Sequence, residues 1–364
     1  MIILIREPEH EGKEDLKMFD VITIGSATID SFVESDSANV VSVSTREHST
    51  DFMSYPYGAK VEVQSYKTAV GGGGLNAAAN FAHLGVKTAA IFKIGEDFQG
   101  KNILAKVEEA GVDTSLVVKS STENSGSSVI LLSFEGNRTV LAYRGANGTI
   151  KESEIDFEAI KNAKWLYIAP LNGQSGAVLD KLAHFAEEHN TNVAINPGSS
   201  SLKRGLKYFE KILATAEVVV MNKEEASLVT KIEVRPDTKS ECFSSETIHP
   251  DIKTMLDKLK SMDAKVVIIT DGKNGVYAFD GKHYYKCPEF PAKVVSTLGA
   301  GDALSSTFTA ALEYTNWNIE KSLMLASVNA ASVVSNFGAQ EGFLTFEEME
   351  ESLKAAPAFR VEIV

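Results

Sequence analysis

The chain has 364 residues, 44% hydrophobic and 23% charged, which is ordinary for a water-soluble protein and enough for a large buried core. Its 36 Lys+Arg stand against 49 Asp+Glu, and the formal charge of -13 argues against a nucleic-acid or anionic-membrane partner. No apolar run approaches the ~20 residues of a membrane helix. Cys242 and Cys287 form no zinc spacing, so a reduced, cytoplasmic setting is expected.

The opening "MIILI" is too short for the apolar stretch of a signal peptide and meets the charged "REPEHEGKEDLK" at once. Residues 1–18 therefore read as an N-terminal arm, and "FDVITIG" as the first strand. At the end of that strand, "GSATIDSF" (25–32) places Asp30 where a carboxylate can accept hydrogen bonds from a polyol, or simply stabilise a turn. In residues 31–68, "VVSVSTR" and "KVEVQSY" read as strands with no helix between them. "AVGGGGLNAAANFAHLG" (69–85) packs four glycines before an amphipathic helix that stops at Gly85. Those glycines either let backbone approach a ligand, with Asn76 offering its amide from the first turn, or form a hinge. The spacing is not a dinucleotide fingerprint.

From residue 87, strand-like and helical runs alternate: "KTAAIFKIG", "GKNILAKVEEAG", "AKWLYIAP", "QSGAVLDKLAHFAEEH", "TNVAINPG", "AEVVVMN", "AKVVIITDG". That rhythm predicts βαβ units and an α/β fold whose mostly parallel central sheet has helices on both faces. "GEDFQGKN" (95–102) nearly matches a P-loop, but Asn102 lacks the hydroxyl that ligates Mg²⁺, and Glu96 and Asp97 would repel phosphates. A βα turn with Lys101 in solvent is the better reading. "SSVILLSFEGNRTVLAY" (127–143) reads as a hairpin around Glu135-Gly136-Asn137, which with residues 31–68 makes a small β-sheet lid. Residues 234–248 read as a polar surface loop, and "GVYAFDGKHYYKC" as a hairpin turning at Asp280-Gly281.

Three later stretches can carry chemistry. "MNKEEA" (221–226) sets Asn222 and Glu225 at a strand's end, where they could order Mg²⁺ waters or form a capping pair. "TDGKNG" (270–275) offers Gly272 and Gly275 beside a strand terminus, either for a flat-lying nucleotide or as a plain turn. "STLGAGDALSS" (296–306) puts Gly299, Ala300, Gly301 and Asp302 at the mouth of a helix. Small residues there leave N–H groups uncovered and the helix start draws an anion, so Asp302 is either a cap or a catalyst.

In their order along the chain, these motifs resemble the ribokinase-like (PfkB-type) carbohydrate and nucleoside kinases, over roughly residues 19–355. "GGGGLNAAANFAHLG" resembles the family's N-terminal signature and "STLGAGDALSSTFTAAL" its C-terminal one. "YRGAN" (143–147), "MNKEEA", "TDGKNG" and "GAQEG" (338–342) stand in the usual order between and after them. The resemblance implies a kinase domain over 19–364 with lid segments at about 31–68 and 127–143. It also implies transfer of the ATP γ-phosphoryl group to a sugar or nucleoside hydroxyl. By the same resemblance Asp302 is the base, and the N–H groups of Gly299, Ala300, Gly301 and Asp302 form an anion hole. Asp30, Gly71, Gly72 and Asn76 hold the substrate's hydroxyls, and Asn222 and Glu225 order Mg²⁺ and phosphate. Thr270, Gly272 and Gly275 line the nucleotide site, and "ASVN" (326–329) reaches the adenine through Ser327 or Asn329. Arg144 on the lid either meets a substrate carboxylate, which suits a sugar acid, or is an exposed structural Arg.

A helix start lowers an acid's pKa, which makes Asp302 a weak base; a loose phosphoryl-transfer transition state tolerates that. Ser296 replaces the acid of the family's "DTTGAGD", which implies weak or absent K⁺ dependence, and Gly73 stands where ribokinases proper often carry Lys. A kinase for a pentose, hexose or related sugar is the first expectation. A nucleoside kinase is the alternative, with Phe52, Tyr55, Tyr57 or Tyr143 to stack a base. A non-catalytic sugar- or nucleotide-binding regulator would tolerate loss of the base, which is intact. The long 31–68 segment leaves room for a distinct substrate or for a homodimer through the lid.

Overall fold

The computed structural model describes residues 19–45, 49–132, 138–203, 205–235 and 248–364. The expected arm over 1–18, the turn at Glu135-Gly136-Asn137, Cys242 and most of the 234–248 loop lie outside the described residues.

Among the described residues a nine-stranded sheet forms the body. Its order is Glu362–Ile363, Tyr284–Cys287, Val276–Phe279, Val266–Thr270, Val218–Asn222, Asn192–Ile195, Ala163–Ile168, Phe19–Ile24, Thr88–Ile91. From Val266–Thr270 to Thr88–Ile91 every pairing is parallel, and the other three strands add an antiparallel edge. The β-branched runs are buried because helices cover both faces. Ile22, Ile24, Leu166, Ile168, Val219, Met221, Val267 and Ile269 pack into one core with helices such as Leu179–His189 and Pro250–Lys260. Their alternates Val21, Trp165, Tyr167, Val218, Val220, Val266 and Ile268 pack against helices Gly73–His83, Ala300–Tyr314 and Ile319–Val334. That alternation is the period of two expected of strands.

Phe19–Ile24 lies between Thr88–Ile91 and Ala163–Ile168, so the chain leaves the first strand in one direction and later returns on its other side. Such switch points leave a crevice at the strands' C-terminal ends. Gly25 ends the strand there, and a Cβ on it would stand 2.7 Å from Ala169 Cβ and 2.8 Å from Gly74 Cα. The glycine thus allows the helix Gly73–His83 to begin directly over the crevice.

A four-stranded sheet stands over the same crevice, in the order Arg138–Tyr143, Gly126–Leu132, Thr28–Glu34, Ser65–Gly71. Its register places Asp30, Phe32 and Glu34 on one face with Ser128, Ile130 and Leu132, and with Ala142, Val140 and Arg138 beyond them. This face meets the body where Phe32 packs on Phe337 with ring centroids 4.6 Å apart. An antiparallel ribbon, Asn39–Ser44 with Ser49–Ser54, extends from the sheet. The expected strand at "KVEVQSY" is corrected: residues 60–64 form no strand, and only Ser65 and Tyr66 join the sheet.

The hairpin at Asp280-Gly281 forms as expected, with Asp280 Oδ1 accepting the N–H groups of Lys282 and His283, each at 2.7 Å. At "GEDFQGKN" Asp97 caps the helix Phe98–Glu109 by accepting the Gly100 N–H at 2.8 Å, and Lys101 is exposed, as a βα turn requires. No helix among the described residues is long and apolar enough to cross a membrane.

Candidate active site

Asp302 lies in the first turn of the helix Ala300–Tyr314, whose N-cap is Gly299 at φ 78°. The acid is not the cap. Its Oδ2 accepts the Asn76 Nδ2–H at 2.8 Å, and the Asn76 Oδ1 accepts from Gln340 Nε2 at 3.1 Å. One N–H and the oxygen of the Asn76 amide are therefore engaged in holding Asp302, and its second Nδ2–H donates to no described residue. On the other side, a Cβ at Gly73 would stand 3.3 Å from Asp302 Oδ1, so a side chain there would crowd the carboxylate.

The expectation that the helix start lowers the Asp302 pKa is corrected. Burial pushes the carboxyl above the ordinary aspartate range; the Asn76 N–H pulls it back, and the charge of Glu225 adds to the rise.

The first-turn N–H groups of Ala300, Gly301 and Asp302 have no intrahelical carbonyl to bond. Around Gly301 no atom lies within 4 Å of where a Cβ would project, so the cradle opens toward the crevice. Gly299 is the reverse case: a Cβ would meet Ala339 O at 2.4 Å, which locks the helix start against the Gly338–Gly342 loop. Behind the cradle the helix is pinned by hydroxyls. Ser306 Oγ donates to Asp302 O at 2.6 Å, Ser305 Oγ to Gly301 O at 2.8 Å, and Tyr167 Oη pairs with Ser305 Oγ at 2.5 Å.

Asp30 is buried on the crevice side of the smaller sheet. Its Oδ1 accepts Ser128 Oγ at 2.6 Å and Thr28 Oγ1 at 3.1 Å, while Oδ2 accepts no bond from a described residue. A Cβ on Gly71 would fall 2.1 Å from that Oδ2, and Gly72, at φ 96°, lies against Ser26 O. Burial raises the Asp30 carboxyl, with the Ser128 and Thr28 hydroxyls opposing the rise. Asp30 at Gly71 and Asp302 at Gly73 thus flank one short loop. Beside them a small cavity is lined by Thr28, Ser127, Ser128, Tyr143, Arg144 and Asn172. Arg144 Nη2 donates to Ser200 Oγ at 3.2 Å, and Asn147 clamps both the N–H and the carbonyl of Ala27.

On the other side of Asp302, a cavity of about 420 Å³ is lined by Thr270, Gly272, Gly275 and Ser327, with Ala300 and Gly301 at its edge. Phe290, Val294, Leu304 and Val334 make its walls largely apolar. Ser327 lines this cavity and Asn329 does not. Asn329 is fully buried, donating to Asn80 Oδ1 at 3.0 Å and Thr307 Oγ1 at 2.8 Å. Two residues apart on a helix point about 200° apart, so one of the pair had to face inward.

Asn222 and Glu225 form a reciprocal capping box on the helix Lys223–Thr230, with bonds of 2.8 and 3.0 Å. Glu225 is buried, and its Oε1 also accepts Ser199 Oγ at 3.0 Å, so each of its oxygens accepts one bond and keeps a lone pair for a water. Among the described residues no cluster of three or more His, Cys, Asp or Glu could hold a metal unaided. The arrangement suits Mg²⁺ that keeps its waters and arrives on phosphates, the ion's usual habit. Gln340, Ser128, Thr28 and Ser199 join the site beyond the residues the sequence singles out; Thr28 lies in "GSATIDSF", Ser128 in the 127–143 hairpin and Gln340 in "GAQEG", whereas Ser199 carries no sequence signal.

The pfkB family carbohydrate kinase pattern matches residues 37–345. The ribokinase of Bacillus subtilis is 28% identical over 338 residues, covering 92% of this chain and 100% of its own. The ribokinase of Arabidopsis thaliana, solved with ribose and ATP, superposes with a TM-score of 0.74 at 22% identity, over 92% of this chain and 99% of that one. A nucleoside kinase of Burkholderia thailandensis, solved with inosine, has a TM-score of 0.72 at 16% identity over 93% and 99%. At such identities the two structures speak to the fold, which is ribokinase-like.

Proposed function

This chain belongs to the pfkB family of carbohydrate kinases, phosphotransferases that act on an alcohol group, and we propose that it phosphorylates a pentose, hexose or related sugar from ATP with Asp302 as the base. The observation that carries this reading is the placement of Asp302: its carboxylate, held by Asn76 and close to Gly73, lies in the first turn of the helix whose Ala300 and Gly301 line the apolar cavity, one short loop from Asp30.

ATP lies in the cavity of Thr270, Gly272, Gly275 and Ser327, its γ-phosphoryl group at the cradle of Gly299, Ala300, Gly301 and Asp302. The sugar sits under the smaller sheet, which acts as a lid, with Asp30 Oδ2, Thr28 and Ser128 taking its hydroxyls. Gly71 and Gly72 let the backbone approach it. Asp302 takes the proton of the attacking hydroxyl, the new sugar O–P bond forms, and the bond from phosphorus to the bridging oxygen breaks to leave ADP. A carboxyl with a raised pKa is the better base for this proton. The transition state is loose, so the cradle's N–H groups supply the larger share of stabilisation. Mg²⁺ neutralises phosphate charge when bound, and Asn222 and Glu225 would hold its waters.

Arg144 in the acceptor cavity makes a sugar acid the first variant to try. Tyr143 in the same cavity favours a second reading, a nucleoside whose base stacks on the ring. Two copies could pair through the lid: Val41, Val43 and Phe52 share one exposed ribbon face, and sedimentation would test this. The deciding assay measures ADP release from Mg-ATP with D-ribose, D-fructose, D-gluconate and inosine, using Asp302→Asn as blank. A response to sugars supports the proposal. A response to inosine alone replaces it with the nucleoside reading, and no response to any acceptor favours a binding protein.

A further inference from the structure

We infer that Gln340, in the Gly338–Gly342 loop, is a positioning residue that acts through the Asn76 amide to keep Asp302 in the form that can take a proton; the inference rests on the kinase reading above. Gln340 Nε2 donates to Asn76 Oδ1 at 3.1 Å, and Asn76 Nδ2 donates to Asp302 Oδ2 at 2.8 Å. An asparagine amide has two orientations half a turn apart, because its oxygen and nitrogen are nearly the same size. In the one present, an N–H faces the Asp302 carboxylate and favours its ionised form. In the other, the amide oxygen faces Asp302, and a protonated carboxyl donating its O–H is the form that fits. With its N–H on Asn76 Oδ1, Gln340 holds the first orientation and polarises the amide, which strengthens the N–H that Asp302 accepts.

The surroundings of Asp302 make that contact matter. Burial pushes the carboxyl up and the charge of Glu225 adds to the rise, while the Asn76 N–H opposes it. Tyr167, itself pushed up by burial and by the Asp302 charge, meets the same helix turn through Ser305. Asp30 stands across the Gly71–Gly73 loop, and Glu341 beside Gln340 is exposed. None of these groups brings a positive charge to Asp302, so the amide relay is left to hold it ionised. The loop that carries Gln340 is itself held at three points. Ala339 O lies against Gly299, where a Cβ would meet it at 2.4 Å, and Asn329 Oδ1 accepts the Leu344 N–H at 2.9 Å. Just before the loop, Phe337 packs on Phe32 of the smaller sheet with ring centroids 4.6 Å apart. The relay thus starts from a fixed point beside the helix mouth.

The test uses Gln340→Met, which keeps the length and loses the donor, and Gln340→Glu, whose carboxylate can only accept. Both are assayed in the full chain with Mg-ATP and the fastest acceptor among D-ribose, D-fructose, D-gluconate and inosine, across the acid limb of the pH profile of kcat. We expect that limb to move up by about one pH unit in Gln340→Met, so that turnover on it falls roughly 10-fold and recovers as pH rises. Both KM values should stay within about threefold of the parent. Gln340→Glu should move the limb further, because the new carboxylate draws the Asn76 N–H to itself and turns Oδ1 toward Asp302. In an Asn76→Ala background, Gln340→Met should change nothing more, since the relay is already cut. A limb that stays in place overturns the inference, as does an equal loss of kcat at every pH, the behaviour of a loosened fold. A full further loss in the Asn76→Ala background overturns it too. Asp302→Asn separates the two claims. If it is inactive while both Gln340 variants keep the parental profile, only the role of Gln340 fails; if Asp302→Asn stays active, the base reading fails and this inference with it.

Discussion

At the end of the crevice proposed for ATP the polar groups are backbone N–H groups of Ala300, Gly301 and Asp302 beside an apolar cavity, whereas at the end proposed for the acceptor they are the side chains of Asp30, Thr28, Ser128 and Arg144. A site made of backbone depends on which residues lack a Cβ, and it recognises what every nucleoside triphosphate shares. A site made of side chains can be rewritten one residue at a time. Substrate choice should therefore reside in the lid and its neighbours, and the phosphate chemistry in the helix mouth.

Two glycines test the backbone half most severely. Gly301→Ala meets no protein atom, so the fold should be unchanged, yet its methyl would stand at the phosphate cradle. We expect an unchanged melting temperature and roughly 100-fold lower kcat/KM for ATP. Gly299→Ala should fail differently. It forces a residue with a Cβ into the left-handed region at a cost of about 1–2 kcal/mol and pushes it into Ala339, so thermal stability falls first. Equal behaviour of the two variants would dissolve the distinction between cradle and lock.

The side-chain half is probed by Asp30→Asn. Hydrogen bonds to a charged group contribute about 1.5–3 kcal/mol, so the acceptor KM should rise roughly 10- to 100-fold while the ATP KM holds. A change in the ATP KM instead would show that the two halves are not separable.

A smaller effect concerns stability. Because burial raises the Asp302 pKa, stability from this group is fully present below its unfolded value of about 3.9 and is lost as pH rises through the folded one. Asp302→Asn should then melt above the parent at pH 7, with the difference closing toward pH 4. A lower melting temperature at neutral pH would mean that the carboxylate is held by more than the Asn76 amide. The smallest effect expected is that of the monovalent cation. Ser296 offers a hydroxyl, engaged with the Leu298 N–H at 3.3 Å, in place of a charge, so K⁺ and Na⁺ should support equal turnover.

The body was more legible in the sequence than the lid, for a physical reason. "AEVVVMN" and "AKVVIITDG" are buried on both faces, and burial of that kind writes itself as β-branched runs. The lid strand Ser49–Ser54 is exposed along most of its length and held by its partner Asn39–Ser44, so its own letters, "STDFMS", carry no pattern. "KVEVQSY" has the alternation of a strand but finds partners only at its end. In the site, "GAGD" marks the backbone half and the four-glycine stretch marks the close approaches to Asp30 and Asp302, since missing side chains are visible as letters. The clamp of Gln340 on Asn76 and the bonds of Ser128 and Thr28 to Asp30 join residues distant in sequence or common in any loop, and only the fold brings them together.

The most direct measurement is a single turnover of Asp302→Asn with Mg-ATP and a responsive acceptor both bound, following the phosphorylated product. If the lone carboxylate removes the hydroxyl proton, transfer should slow by roughly 100-fold or more while both ligands still bind at parental affinity. Transfer within about threefold of the parent, with both ligands bound, would contradict the account at its centre.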